Sequence, residues 1–268
     1  MRDFLSLYEE FRLNVGPRRA AVYQNQEKAR RQSKEASYSN VSFPGIKNLW
    51  DIIAMVRLFV MEVAEPRVGK CWFDPEWDIS LLREIGIEFV TVIDWRDEEI
   101  TNAEKEFPGQ VYELIKAHPV KDELQIAHKL DALIVHTILQ HLNDEQLNLF
   151  LANMRRIVKD GAVMILIFKS MPKKGSLRNY LDRIGQKKAR INDVATGDVT
   201  IWEEKLGSWR DLHLWAPDQV LKIAKNNGWT LIKETLQTPA KITFRSDSRK
   251  MEHCVYFLKA VPIEEGGN

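Results

Sequence analysis

The run from Asp131 to Phe168 constrains the fold more than any other stretch of the chain. Asp131-Ala-Leu-Ile-Val-His-Thr-Ile-Leu-Gln-His-Leu-Asn-Asp144 is followed by a helical pattern, by Lys159-Asp-Gly161 and by a second apolar run. Leu133–Val135 and Ala162–Phe168 are apolar without alternation, as strands covered on both faces must be. Between them, Leu147, Leu151, Met154 and Val158 recur at helical spacing over Glu145–Val158. Strand, helix, glycine turn and strand make a βαβ crossover, the unit of a doubly wound parallel sheet. Ligands of such sheets bind outside the carboxyl ends of the strands, where His136 and His141 would lie.

A length of 268 residues allows one large α/β domain. The net charge of +1 selects no class of partner. Cys71 and Cys254 lie far apart and make no CxxC metal spacing, so a reducing cytoplasmic setting is expected. The acids near Met1 argue against a signal peptide. Leu49–Val63 carries Asp51, Arg57 and Glu62, and reads as a buried helix rather than a membrane span.

Residues 1–45 read as an N-terminal helical extension, and 46–268 as the α/β domain. Along the latter, Ile46–Val63 reads as a helix, Val68–Phe73 as a strand and Asp78–Glu84 as a helix. Ile87–Ile93 is a strand ending at Asp94, and Val111–Ile115 a third strand. Lys121–His128 is expected to be helical. An insertion, 169–214, follows Phe168, with a strand or hairpin over Thr196–Trp202. Ala216–Asn227 is a helix with Pro217 in its first turn and Gly228 as its stop. Thr230–Thr235, Lys241–Phe244 and His253–Ala260 are strands, the last two antiparallel.

This order resembles the class I S-adenosylmethionine-dependent methyltransferases. Ile87-Glu-Phe-Val-Thr-Val-Ile-Asp94 is similar to the family's second strand with its terminal acid. Asp131-Ala-Leu-Ile-Val-His-Thr-Ile-Leu-Gln-His-Leu is similar to the fourth strand and its loop. Trp215-Ala-Pro-Asp-Gln-Val-Leu-Lys-Ile-Ala-Lys-Asn-Asn-Gly-Trp is similar to the late helix before the sixth strand. The resemblance implies a mostly parallel seven-stranded sheet with an antiparallel C-terminal strand, S-adenosylmethionine as cofactor, and transfer of its methyl group to oxygen or nitrogen.

One departure stands against it. The family's Gly-rich loop after the first strand falls on Phe73, Pro75 and Trp77 in the run Phe73-Asp-Pro-Glu-Trp-Asp78. Glycines there permit close backbone approach to the ligand, whereas Phe and Trp add bulk and proline removes an N–H. A catalytically inactive, methyltransferase-like module with a plugged pocket is therefore the alternative reading.

The candidate site residues each carry a functional and a structural reading. Asp94 would accept the ribose hydroxyls, or would cap the next helix. Asp74 and Trp77 would line the altered loop around the cofactor, or would shape a turn and fill the core; a metal would need further ligands. Trp95 would stack on the adenine, or pack in the core. His136 and His141 would act as general base, or hold the loop. Lys173, Lys174 and Arg178 belong to a basic run over residues 169–190 with one acid, Asp182. They would bind an anionic small molecule or glycan, or form a solvated face. His213 would wall the substrate pocket, or make a structural hydrogen bond. The basic run and the N-terminal helices could also bind a protein partner. Nucleic acid fits less well, since no aromatics interleave the lysines.

Overall fold

The computed structural model describes residues 55–262 except 72–78, 80–81, 84, 107–108, 110, 137, 172–175, 184–185, 187, 196, 204–207, 233–239 and 247–248. The expected extension 1–45 and most of the helix expected over Ile46–Val63 lie outside these residues. Its end is seen as α1, Val56–Phe59, which leaves the helical path at Val60.

The main sheet contains β1 (Arg67–Cys71), β2 (Phe89–Asp94), β3 (Glu113–Lys116), β4 (Leu130–His136), β5 (Val158–Lys169), β10 (Ala240–Ser246) and β11 (Arg249–Ala260), in the order β10-β11-β5-β4-β1-β2-β3. β1 to β5 pair in parallel, while β11 runs antiparallel to β5 and to β10. A short strand, β9 (Trp229–Leu231), pairs with the far end of β11, so β9 and β10 share that edge. The expected sheet, with its antiparallel C-terminal strand, is thus present.

Both faces are covered, which explains the unbroken apolar runs. Val90, Val92, Ile134, Ile165 and Ile167 pack with Met55, Val56, Ile79, Leu82 and Ala103 on one side. Leu133, Val135, Met164, Leu166 and Phe168 pack with Leu147, Phe150, Leu151 and Met154 of α3 (Asp144–Arg156) on the other. Ala103 belongs to α2, Asp97–Glu106. The start of α3 is fixed by a capping box: Asn143 Oδ1 accepts from the Gln146 N–H at 2.9 Å, and Gln146 Oε1 accepts from the Asn143 N–H at 3.0 Å. Glu145–Val158 was the expected range, and the helix closes two residues earlier as β5 begins. Gly161, at φ +82°, sits in a register shift that lets β5 start early and still align Val163 with Ala132.

One expected element is corrected. Lys121–His128 is not helical but a turn followed by irregular chain that ends in a bend. Leu124 and Ile126 are half-buried between exposed Glu123, Gln125 and Ala127, a period of two that no helix face matches. Asp122 Oδ2 accepts from the His118 N–H at 2.7 Å, and the Ala127 N–H donates to Glu113 Oε1 at 3.1 Å. These bonds hold the non-helical path.

The insertion is a small layer of its own. α4 (Leu177–Arg183) precedes an antiparallel sheet of β6 (Arg190–Asp193), β7 (Asp198–Glu203) and β8 (Ser208–His213). The strand or hairpin expected over Thr196–Trp202 is met by β7, the central one of the three strands. Leu177, Tyr180, Leu181, Val199, Ile201, Leu212 and Leu214 form its core. Gly197 turns the chain into β7 with φ +80°, and a Cβ there would stand 2.1 Å from the Leu214 carbonyl oxygen. That neighbour is backbone, hydrogen-bonded through Leu214 N–H to Gly197 O at 3.0 Å. Gly197→Ala is expected to cost about 1–3 kcal/mol. Thermal unfolding of the variant checks this, and an unchanged midpoint would contradict it.

α5 (Pro217–Asn226) begins with Pro217 at its first turn and ends before Gly228 at φ +74°. Among the described residues no helix is long and apolar enough to cross a membrane. Cys71 and Cys254 are both buried, on β1 and β11. Three strand spacings, about 14 Å, separate those strands, too far for a disulfide.

Candidate functional site

Parallel pairing decides where the site residues meet. In register, Cys71 of β1 lies beside Ile93 of β2 on one side and Val135 of β4 on the other. Asp94 and His136 are the next residues along β2 and β4. They therefore flank the carboxyl end of β1 on one rim, about 10 Å apart by strand spacing. The loop leaving β1 between them, with Asp74 and Trp77, lies outside the described residues, as do Lys173 and Lys174.

Asp94 is fully buried. Arg96 grips it from two residues away: Nε donates to Oδ1 at 3.0 Å, Nη2 to Oδ2 at 2.7 Å, and the Arg96 backbone N–H to Oδ1 at 3.0 Å. A forked guanidinium on a carboxylate fixes its orientation. The structural role expected for Asp94 is thus present in altered form: it binds the loop before α2.

Trp95 is half-buried and stacks on His118 at 4.5 Å between ring centroids, with 27° between the planes. His118 follows β3, so this pair adjoins Asp94 on the same rim; the Ala117 N–H donates to the Asp94 carbonyl at 3.1 Å. Burial, and then the charge of Lys121, lower the His118 pKa. Its Nδ1 accepts from the Val120 N–H at 3.2 Å, which suits a neutral ring.

After His136 the chain enters a 3₁₀ turn, Leu139–His141. His141 Nε2 lies 3.1 Å from Gln140 Nε2, and both rings of the expected base pair, His136 and His141, are half-buried at this edge. β8 packs on the turn. The Trp215 indole N–H donates to the Leu139 carbonyl at 2.7 Å, and Trp215 also bridges Ser170 beyond the end of β5. The insertion is thereby clamped over the rim.

His213 sits at this clamp. Its ring lies tilted by 52° against Trp215, 4.1 Å between centroids, and its Nδ1 meets Asp198 Oδ1 at 2.8 Å. Asp198 and His213 are directly opposite in the β7–β8 register. Arg178 uses one Nη1–H on the Ala189 carbonyl at 2.8 Å and is otherwise exposed. Arg96, His118, Gln140 and Asp198 were not singled out by sequence. Only Arg96 carried a local signal, as a cation two residues after a strand-end acid. Among the described residues there is no group of three or more side chains able to hold a metal.

No protein-family model matches the chain, and no curated protein sequence does. Solved structures do. The chain is similar to an S-adenosylmethionine-dependent methyltransferase from Clostridium acetobutylicum, with 11% identity over 93% of this chain and 100% of that one, at a TM-score of 0.55. It is similar to a methyltransferase of the same class from Methanosarcina mazei, with 14% identity over 75% and 95% and a TM-score of 0.56. A glycopeptide N-methyltransferase solved with S-adenosylmethionine matches at 14% identity over 78% and 94%, with a TM-score of 0.53. The fold is therefore that of the class I methyltransferases.

Proposed function

We propose that the chain is an S-adenosylmethionine-dependent methyltransferase acting on an oxygen or nitrogen of an anionic small molecule or glycan. The observation that carries this reading is the shared rim: a buried acid ending β2 and a histidine-bearing turn after β4 flank the end of β1, in a class I methyltransferase fold. Bound S-adenosylmethionine supplies a sulfonium methyl group open to in-line displacement. Asp94, oriented by Arg96, would accept the ribose hydroxyls. Trp95, backed by neutral His118, would stack on the adenine. Asp74 and Trp77 would close the loop side of the cofactor.

Rate enhancement would come mainly from holding the acceptor in line. Trp215 and the β6–β8 layer, packed on the turn after β4, would help to exclude water from the rim. His136 or His141 would act as general base, and His213 would wall the acceptor pocket. Lys173, Lys174 and Arg178 would attract an anionic acceptor from the insertion. A cytoplasmic setting fits two buried cysteines on well-separated strands.

A second reading rests on Phe73, Pro75 and Trp77. If these plug the cofactor cavity, the chain is an inactive module that binds a protein partner. Thermal unfolding with S-adenosylmethionine separates the two. At a hundred times its dissociation constant, a ligand stabilises the native state by roughly 2.7 kcal/mol. A rise in midpoint is expected for the enzyme. No response at millimolar ligand, with binding gained on replacing Phe73, Pro75 and Trp77 by glycine, would establish the plugged module instead.

A further inference from the structure

Two buried hydrogen-bonding atoms at the clamp lack a partner among the described residues. His213 is 8% exposed and Gln140 7% exposed, yet neither His213 Nε2 nor Gln140 Oε1 has a hydrogen-bond partner there. Buried polar atoms are rarely left so, and each asks for an explanation. Both belong to the contact between β8 and the Leu139–His141 turn, beyond the carboxyl ends of β4 and β5.

Their chemistry is alike. A carboxylate oxygen only accepts, so the 2.8 Å contact puts a proton on His213 Nδ1. In that tautomer the ring's lone pair lies on Nε2. The Gln140 amide nitrogen faces His141 Nε2, so its oxygen points away from that contact. Two acceptors without donors call for a ligand that brings donors.

We propose that His213 Nε2 and Gln140 Oε1 receive a hydroxyl or amine group of the methyl acceptor, and that His213 takes its proton. This rests on the methyl-transfer reading above. In the step, the acceptor oxygen or nitrogen forms a bond to the methyl carbon. The carbon–sulfur bond breaks and leaves its electron pair on sulfur, which turns the sulfonium into a thioether. The acceptor's proton passes to Nε2, and Asp198 steadies the imidazolium through Nδ1–H. The anionic part of the acceptor would lie towards the basic insertion, whereas the methylated atom is a donor before reaction.

Nitrogen NMR of the imidazole rings tests this without knowing the natural acceptor. The chain is titrated with phenol against anisole and with aniline against N,N-dimethylaniline, in the absence and presence of S-adenosylhomocysteine. The His213 signals are those lost in His213→Asn. The expected result is that a donor-bearing probe moves the Nε2 resonance and binds roughly tenfold more tightly than its methylated form. In Asp198→Ala, where the ring proton is free to move to Nε2, that preference should vanish. The Asp198 side chain is 44% exposed, so this variant should fold. The inference is overturned if neither donor moves Nε2, if methylated probes act equally, or if Asp198→Ala leaves the preference unchanged. A chain that shows the donor preference but ignores S-adenosylhomocysteine would sink the methyl-transfer reading instead.

Discussion

Trp215→Ala is expected to lower stability by about 3–5 kcal/mol, the largest effect of any single change considered. The indole is fully buried among Leu139, Phe168 and Tyr256 in the core on the α3 side of the sheet. Truncation leaves a cavity the size of a bicyclic ring, which close-packed neighbours fill only in part. It also removes the N–H that satisfies the Leu139 carbonyl at 2.7 Å. The backbone bonds of Trp215 to Lys169 and Met171 would survive, so the chain path should hold while the clamp loosens. Urea unfolding checks the magnitude, and a loss below 1 kcal/mol would show that the indole is not part of the core. Trp215→Phe should recover most of the packing and none of the hydrogen bond.

The second large effect concerns affinity. Asp94→Ala is expected to weaken S-adenosylmethionine binding by roughly 10–150-fold, the worth of a hydrogen bond to a charged group. The fold should tolerate it, because Arg96 is about a third exposed and can turn to water once its partner is gone. Arg96→Ala is the harsher change for stability, since it strips the guanidinium from a carboxylate that has no exposure. Calorimetric titration of Asp94→Ala decides the matter: an affinity equal to that of the parent chain would reject the ribose assignment.

Much of the fold could be read from residues because burial on two faces leaves a plain mark. Leu133–Val135, Ala162–Phe168 and Ile87–Asp94 could be assigned as strands from apolar continuity alone. The capped helix between them followed from spacing. Lys121–His128 reads as a helix because two apolar residues, Leu124 and Ile126, are a weak signal among polar residues of good helix propensity; side-chain bonds to Asp122 and Glu113 fix the non-helical path. Lys70, fully buried within β1, is another residue whose place no hydropathy pattern foretells.

The candidate site was legible only where one element carried it. Asp94 and His136 each end a strand, so a parallel sheet brings them together once the strand order is known. The Asp198–His213 pair is fifteen residues apart and depends on the hairpin register, which sequence leaves open when the turn residues fall outside a two-residue type. Arg178 was picked as part of a charge run, yet one of its donors serves the Ala189 carbonyl within the insertion.

The claim on which the rest depends is that the rim between β2 and β4 holds the cofactor. A crystal structure of the chain grown with S-adenosylhomocysteine tests it most directly. The account predicts ribose hydroxyls on the Asp94 carboxylate, adenine against Trp95 and the sulfur directed towards the turn that follows His136. Nucleoside density anywhere else on the molecule, or a rim filled by the chain's own Phe73 and Trp77, would contradict it.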